Sequence, residues 1–110
     1  MIALLALLLG ALLGFILQPD IPAPITAYVP IAVVAGLDAI FGGVRARLDG
    51  TFSDRVFIVS FLSNVVLATF LVFIGDLLGA GSELSTAVLV VFGVRIFDNL
   101  AAVRGHLLPA

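Results

Sequence analysis

The sequence predicts an all-α membrane protein, a four-helix transmembrane bundle with short loops and both termini cytoplasmic. Of its 110 residues, 63% are hydrophobic and 11% are charged, whereas soluble domains run at about 45–50% apolar and about 25% charged. A soluble chain of this size could not bury so much apolar surface. The chain contains four apolar stretches, and four of its five arginines lie in the connection after the second stretch or just after the fourth.

The four apolar stretches are the predicted spans, and together they form one membrane domain over residues 1–110. A spanning helix needs about 20 apolar residues, within a range of about 17–25. The first stretch is short but uncharged, and since no basic residue precedes it, a retained helix is favoured over a signal peptide. The predicted spans are residues 2–17, 24–41, 56–78 and 84–103.

The second span contains Pro30, and proline kinks a membrane helix and frees a backbone carbonyl. A re-entrant segment is the alternative, which would leave three spans and put the termini on opposite sides. Gly42 and Gly43 predict the end of this helix, because glycine readily adopts the left-handed backbone of a helix cap. Residues 44–49 then predict a short interfacial helix that Gly50 ends.

The placement of positive charge favours four spans. The connection after the second span carries Arg45, Arg47 and Arg55, and the C-terminal tail carries Arg104, whereas the other two connections have no positive charge. Since Lys and Arg collect on the cytoplasmic side, an even number of spans puts both arginine-bearing segments and both termini in the cytoplasm. Arg45 and Arg47 are expected to meet lipid phosphates, worth about 1 kcal/mol each near an anionic surface.

Five of the polar side chains inside the predicted spans, three charged and two amides, lie in the cytoplasmic half at about 1.5 Å rise per residue. We expect one buried network in which Arg95 bridges Asp38 and either Asp98 or Asn99. A structural role that fixes the register of the helices is favoured over a proton or transport path, because the charges nearly balance. The network residues are Asp38, Asn64, Arg95, Asp98 and Asn99.

Gly10 and Gly14 form a G-x-x-x-G pattern in the first span. Small residues at this spacing let two helix backbones approach closely. Helix packing inside the bundle is the favoured interpretation, and dimerisation is the alternative.

The chain has no recognisable enzyme site, and we expect no catalysis, cofactor or metal. Cysteine is absent and the single histidine, His106, lies in the tail, so neither a metal site nor a Ser-His-Asp set can be built. The glycine-containing loop lacks the lysine and the spacing of a phosphate-binding loop. A net charge of −2 gives no electrostatic footprint for nucleic acid.

The runs LDAIFGGVRARLDGTF (residues 37–52) and VFGVRIFDNLAAVR (residues 91–104) resemble the bacterial small basic protein family. The resemblance covers nearly the whole chain after Tyr28, and the two blocks are specific when they occur together. This chain departs from the family in being acidic, with a pI of about 4.9, and it lacks a lysine-rich tail. The matching residues are Asp38, Gly42, Gly43, Arg45, Ala46, Asn64, Gly93, Arg95, Phe97 and Asn99.

The resemblance implies a multi-pass protein of the bacterial inner (cytoplasmic) membrane whose genes lie among division and cell-wall genes. We therefore expect a scaffold or interaction subunit for cell division or envelope assembly. The expected partners are the lipid bilayer and membrane proteins with extracytoplasmic coiled coils. Formation of a homo-oligomer is a further alternative. The alternative is a small transport or channel component that resembles the membrane substrate-binding subunits of vitamin uptake systems. It requires a water-accessible cavity lined by Asp38, Asn64 and Arg95.

Overall fold

The computed structural model describes residues 1–17, 20, 26 and 28–108, and the regular structure within them is helical, with no β-strand. The predicted all-α fold is confirmed. The helices of this part of the chain are α1 (Ile2–Leu17), α2 (Val29–Asp49), α3 (Asp54–Leu77) and α4 (Gly81–Leu107). The expected first residues of the second span, 24 and 25, lie outside the described residues.

Helices α2, α3 and α4 are each long and apolar enough to cross a membrane. Helix α1, unlike them, carries no charged residue, but it has 16 residues, which gives a length of about 24 Å against a hydrocarbon core of about 30 Å. Local thinning of the bilayer accommodates a mismatch of this size. The described part of the chain therefore has the helices of a membrane protein: three that are long enough to span and one short apolar helix.

Helix α2 begins at Val29 in the described residues and ends later than the sequence predicted. Pro30 lies in its first turn, where the missing N–H removes no helical hydrogen bond. Proline therefore starts this helix instead of interrupting a span, and the continuous 21-residue helix is long enough to cross. At its other end Gly50 adopts a left-handed backbone with φ of 78°, and its N–H donates to carbonyls of the last turn.

The predicted helix end at Gly42 and Gly43 and the separate interfacial helix over residues 44–49 are both wrong, because α2 runs through all of these residues. Gly43 is buried where α1 and α3 approach α2. A Cβ at this position would lie 3.0 Å from the ring of Phe57 and 3.1 Å from Leu4. Glycine therefore serves close helix packing at this position.

Helix α3 begins with a side-chain cap. The Val56 N–H donates to the Ser53 hydroxyl at 3.5 Å, and Asp54 places negative charge at the positive end of the helix dipole. Residues 78–80 reverse the chain, with Gly79 at φ of 78°. Helix α4 then runs to Leu107, past the predicted end at residue 103.

Contacts between helix ends define the topology. We call the end where residues 50–53 join α2 to α3 the loop end. The Met1 amino group lies 2.7 Å from Asp54, and His106 Nε2 lies 2.5 Å from Asp49, so the two described chain ends and this loop lie together. This arrangement is the one expected of an even number of membrane crossings.

At the opposite end of the bundle, the Tyr28 hydroxyl, just before α2, donates a hydrogen bond to Asp76 near the end of α3 at 2.7 Å. We call this end the turn end, since residues 78–80 join α3 to α4 there. The hydrogen bond to Asp76 raises the pKa of Tyr28 above its usual value, so the phenol remains a donor at neutral pH.

A small apolar core lies between α2, α3 and α4. Most other large hydrophobic side chains are exposed, Phe15 by 75% and Phe97 by 77% for example. Exposure on this scale suits a protein whose surface faces acyl chains. The core cluster consists of Ile31, Ala35, Ala68, Val72, Val88 and Phe92.

Candidate functional site

An ion pair between a buried carboxylate and a half-exposed guanidinium joins α2 to α4 next to the apolar core. Arg95 Nη2 lies 3.2 Å from Asp38 Oδ2, and the Asp38 side chain is only 2% exposed. Its other carboxylate oxygen, Oδ1, has no hydrogen-bond partner among the described residues. Since buried carboxylate oxygens are normally hydrogen-bonded, this atom marks a position at which a donor is missing.

An open cavity of about 160 Å³ begins at this ion pair and extends to the loop end. Asp38, Asn64 and Arg95 all line it, together with Ser60 one turn from Asn64 on α3. The cavity is present because the residues of α2 that line it have small side chains. These residues are Ala39, Gly42, Gly43 and Ala46.

On the side of the cavity away from the loop end, the polar lining gives way to apolar residues. Ile31 and Ala35 precede Asp38 on α2, Ala68 lies one turn beyond Asn64 on α3, and Phe92 lies just before Arg95 on α4; all four belong to the apolar core. Among the described residues, the polar part of the cavity therefore ends at the apolar core. In the part of the chain that the structure describes, the polar lining therefore extends from the loop end to the ion pair and no further.

Arg95 also faces a second space. Its side chain is 50% exposed, and the guanidinium carbon lies 6.0 Å from the centre of the Phe92 ring. An apolar groove of about 300 Å³ runs from Arg95 between α3 and α4. Asn64 and Arg95 line both the cavity and the groove, so the two spaces meet at these side chains.

Asp98 and Asn99 do not join Arg95 as the sequence predicted. Asn99 accepts a hydrogen bond from Arg45 Nη1 at 3.3 Å. This contact exists because α2 continues past Gly43 and carries Arg45 up to α4. Asp98 is exposed and has no hydrogen bond or ion pair with any described residue.

A polar cluster at the loop end was not anticipated. Asp49 contacts His106 on α4 and lies 3.8 Å from Arg45 Nε on its own helix. The sequence analysis missed this cluster because it ended α2 at residue 41 and the fourth helix at residue 103. The available signal was Asp49-Gly50, which is typical of a helix end. Arg47 lies exposed in the last turn of α2, and its contact with lipid phosphate stays a prediction.

The glycine pattern of α1 does not pack against this chain. Gly10 and Gly14 are exposed, and a Cβ at either position would meet no neighbouring atom of the described residues within 4 Å. The interpretation that they pack inside the bundle is therefore corrected. The physical reason is that α1 contacts its neighbours near its N-terminal end, where Leu4 is its one buried residue.

Comparison with known proteins places the chain in a family. A family model described as a protein of unknown function, DUF1290, matches residues 21–108, which include the whole cavity and groove. The chain belongs to this family. A relative in Mycobacterium tuberculosis, described as an uncharacterised protein, is 52% identical over all of this chain and 91% of its own length.

The small basic protein of Bacillus subtilis is 41% identical to this DUF1290 chain over 94% of the chain and 84% of the relative. The resemblance to the small basic protein family is thereby confirmed. No solved structure matches the chain.

Proposed function

We propose that this DUF1290 chain is a non-enzymatic subunit of the bacterial cytoplasmic membrane that binds other membrane proteins through its helices. One observation carries the proposal: α4 exposes charged side chains within its spanning length. Asp98 is exposed without a partner among the described residues, and Arg95 is half exposed. Charges within a span normally face protein, because lipid cannot solvate them. A further transmembrane segment on this face of α4 would supply that surface.

A second surface supports the same function. Gly10 and Gly14 on α1 leave open space, and a groove of about 660 Å³ lies between α1 and α2, lined by the small residues Ala32 and Gly36 among others. Such surfaces allow close approach of a foreign helix.

The proposed setting is cell division or envelope assembly, with coiled-coil membrane proteins encoded nearby as partners. This part of the proposal derives from the family resemblance alone. The orientation with both termini in the cytoplasm derives from the arginines near the loop end.

Co-purification of the tagged chain from native membranes tests the proposal. We expect a membrane protein of the division or cell-wall machinery to be recovered in stable proportion. Asp98→Leu should reduce this recovery, whereas Val94→Leu, on an exposed position of the same helix one turn earlier, should not. Recovery of the wild-type chain alone, or equal recovery with both variants, would count against it.

A transport or channel component is the second candidate, and the cavity lined by Asp38, Asn64 and Arg95 is the observation that favours it. The apolar lining beyond Asn64 and Arg95 favours the first candidate. Because the chain has no cysteine, single-cysteine labelling can separate them. Ser60→Cys should react only from the loop end and Ala68→Cys from neither side. Reaction of either from the turn end would indicate a path through the protein.

A further inference from the structure

The groove between α3 and α4 and the carboxylate of Asp98 lie on one continuous face of the bundle. Ala87 and Val91 line the groove from α4, and Asp98 follows Val91 by seven residues. Because positions four and seven residues apart recur on one side of an α-helix, Asp98 extends the same side of α4 towards the loop end. Ala87, Val91 and Asp98 are all exposed, so the described part of the chain leaves this side uncovered.

The groove can hold part of a neighbouring helix. Its volume is about 300 Å³, and its wall on α3 includes the exposed side chains of Leu67 and Leu71. From Arg95 back to Ala87 the groove follows α4 for about 12 Å, which is about two turns of an α-helix. Side chains one turn apart on a transmembrane helix would therefore fit into the groove in succession.

Asp98 is a charge on this face that has no partner. Arg95, its neighbour on α4, lies 3.2 Å from Asp38. Arg45 of α2 lies 3.8 Å from Asp49. Each of these two arginines therefore has a carboxylate of its own, and Asp98 pairs with no described residue. Since charges within a span usually pair with one another, a cation of a neighbouring protein would complete this face.

We propose that this face receives one transmembrane helix of another membrane protein, and that a lysine or arginine of that helix pairs with Asp98. Such a helix presupposes the proposed function, because it belongs to the membrane protein that this chain would bind. Its basic side chain lies towards the loop end. Its apolar side chains, about seven residues further towards the turn end, fill the groove beside Val91.

A second copy of the chain offers no free cation at this depth. The arginines of a copy that lie near the level of Asp98 are Arg45 and Arg95, and each is already paired within its own chain. The sequence contains no lysine. The balance of charges therefore favours a helix of a different protein over self-association.

The test measures the binding of designed leucine–alanine helices of about 21 residues to the full-length chain in phosphatidylcholine vesicles. Binding is followed by energy transfer from a donor on Gly105→Cys to an acceptor at the end of the helix. The helices carry lysine, glutamine or glutamate at the depth of Asp98. We expect the lysine helix to bind about threefold to fifteenfold more tightly than the glutamine helix, which is the range for polar contacts between transmembrane helices, and the glutamate helix to bind least.

Variants of the chain locate this preference. Asp98→Asn should abolish the preference for lysine, and Asp98→Lys should reverse it in favour of the glutamate helix. Glu83→Gln, which removes an acidic charge at the turn end, should leave the preference unchanged. Val91→Trp, in the groove, should weaken the binding of all the designed helices, and unchanged binding by this variant would contradict the place given to the groove.

Equal binding of the designed helices by the wild-type chain would overturn the proposal, and this readout requires no variant to fold. The proposed function would then still depend on its own test, because recovery of a native partner does not require that partner to carry a basic residue. Energy transfer between donor-labelled and acceptor-labelled copies of the chain that is lost in Asp98→Asn would show that a second copy covers this face, and it would also overturn the proposal.

Discussion

Helices α1 and α2 show two different ways in which an apolar helix can belong to a membrane protein. Helix α1 has no charged residue and buries only Leu4. Helix α2 is less hydrophobic, yet it buries Ile31, Ala35, Asp38 and Gly43 along its length. Hydrophobicity brings a helix into lipid, whereas small and polar residues at helical spacing decide what it packs against.

The attachment of α1 follows from this difference. Its N-terminal end is held by Asp54, which accepts from the Met1 amino group and from the Ala3 N–H at 3.0 Å. Further along, its side chains and those of α2 border a groove instead of a packed interface. Helices α2, α3 and α4 therefore form the stable unit, and α1 is fastened to it at the loop end.

The largest effect should come from breaking the α2–α4 ion pair. Arg95→Leu leaves the Asp38 carboxylate buried without its cation, which costs about 3–5 kcal/mol. We expect loss of stability in thermal unfolding of the detergent-solubilised protein, with much lower yield from membranes.

The control is the double variant Asp38→Leu/Arg95→Leu, which removes both charges together. It should recover a large part of the stability lost in the single variant, since neither charge remains unpaired. A double variant less stable than Arg95→Leu alone would contradict the structural role of this pair.

The next largest effect on stability is expected when two glycines of α2 are replaced in turn by alanine. Gly43→Ala places a methyl group against Phe57 and Leu4 and should destabilise the bundle by about 1–3 kcal/mol. Gly36→Ala meets no neighbouring atom within 4 Å among the described residues and should stabilise the helix by about 0.5–1 kcal/mol. Unfolding of both variants measures the difference, and an equal gain in stability would show that Gly43 is not a packing residue.

Releasing α1 should have a smaller and local effect. Asp54→Asn removes the charge that holds the N-terminal amino group, so the amides of α1 should exchange hydrogen faster while α2 and α4 keep their protection. Glu83→Gln at the turn end is the matched control and should leave α1 unchanged. Faster exchange throughout the bundle would mean that α1 is not a separate attachment.

The smallest effect on the isolated chain is expected at the α1 glycines. Gly10→Ala and Gly14→Ala meet open space, so thermal stability should stay the same or rise by less than about 1 kcal/mol each. A clear loss of stability in dilute detergent would show that α1 packs more closely than the structure indicates.

The sequence allowed the helical class, the four helices and the nearness of Asp38 and Arg95 to be predicted. These predictions depend on properties that do not change with the packing of the helices. The length of the apolar stretches predicts the helices, and equal depth in the membrane predicts that Asp38 and Arg95 lie close together. The course of α2 could not be predicted, because Gly42-Gly43 is a local signal for a helix end and the contacts of Gly43 override it. The hydrogen bond between Arg45 and Asn99 was missed for the same reason, since only a longer α2 brings Arg45 to Asn99.

The most direct test of this account is single-cysteine labelling in sealed membrane vesicles, which the absence of native cysteine makes possible. The exposed positions are Thr51 and Gly105 at the loop end and Ser82 at the turn end. An impermeant maleimide should label Thr51→Cys and Gly105→Cys from the cytoplasmic side and Ser82→Cys from the opposite side. Labelling of all three from one side would contradict a bundle that crosses the membrane with its loop end in the cytoplasm.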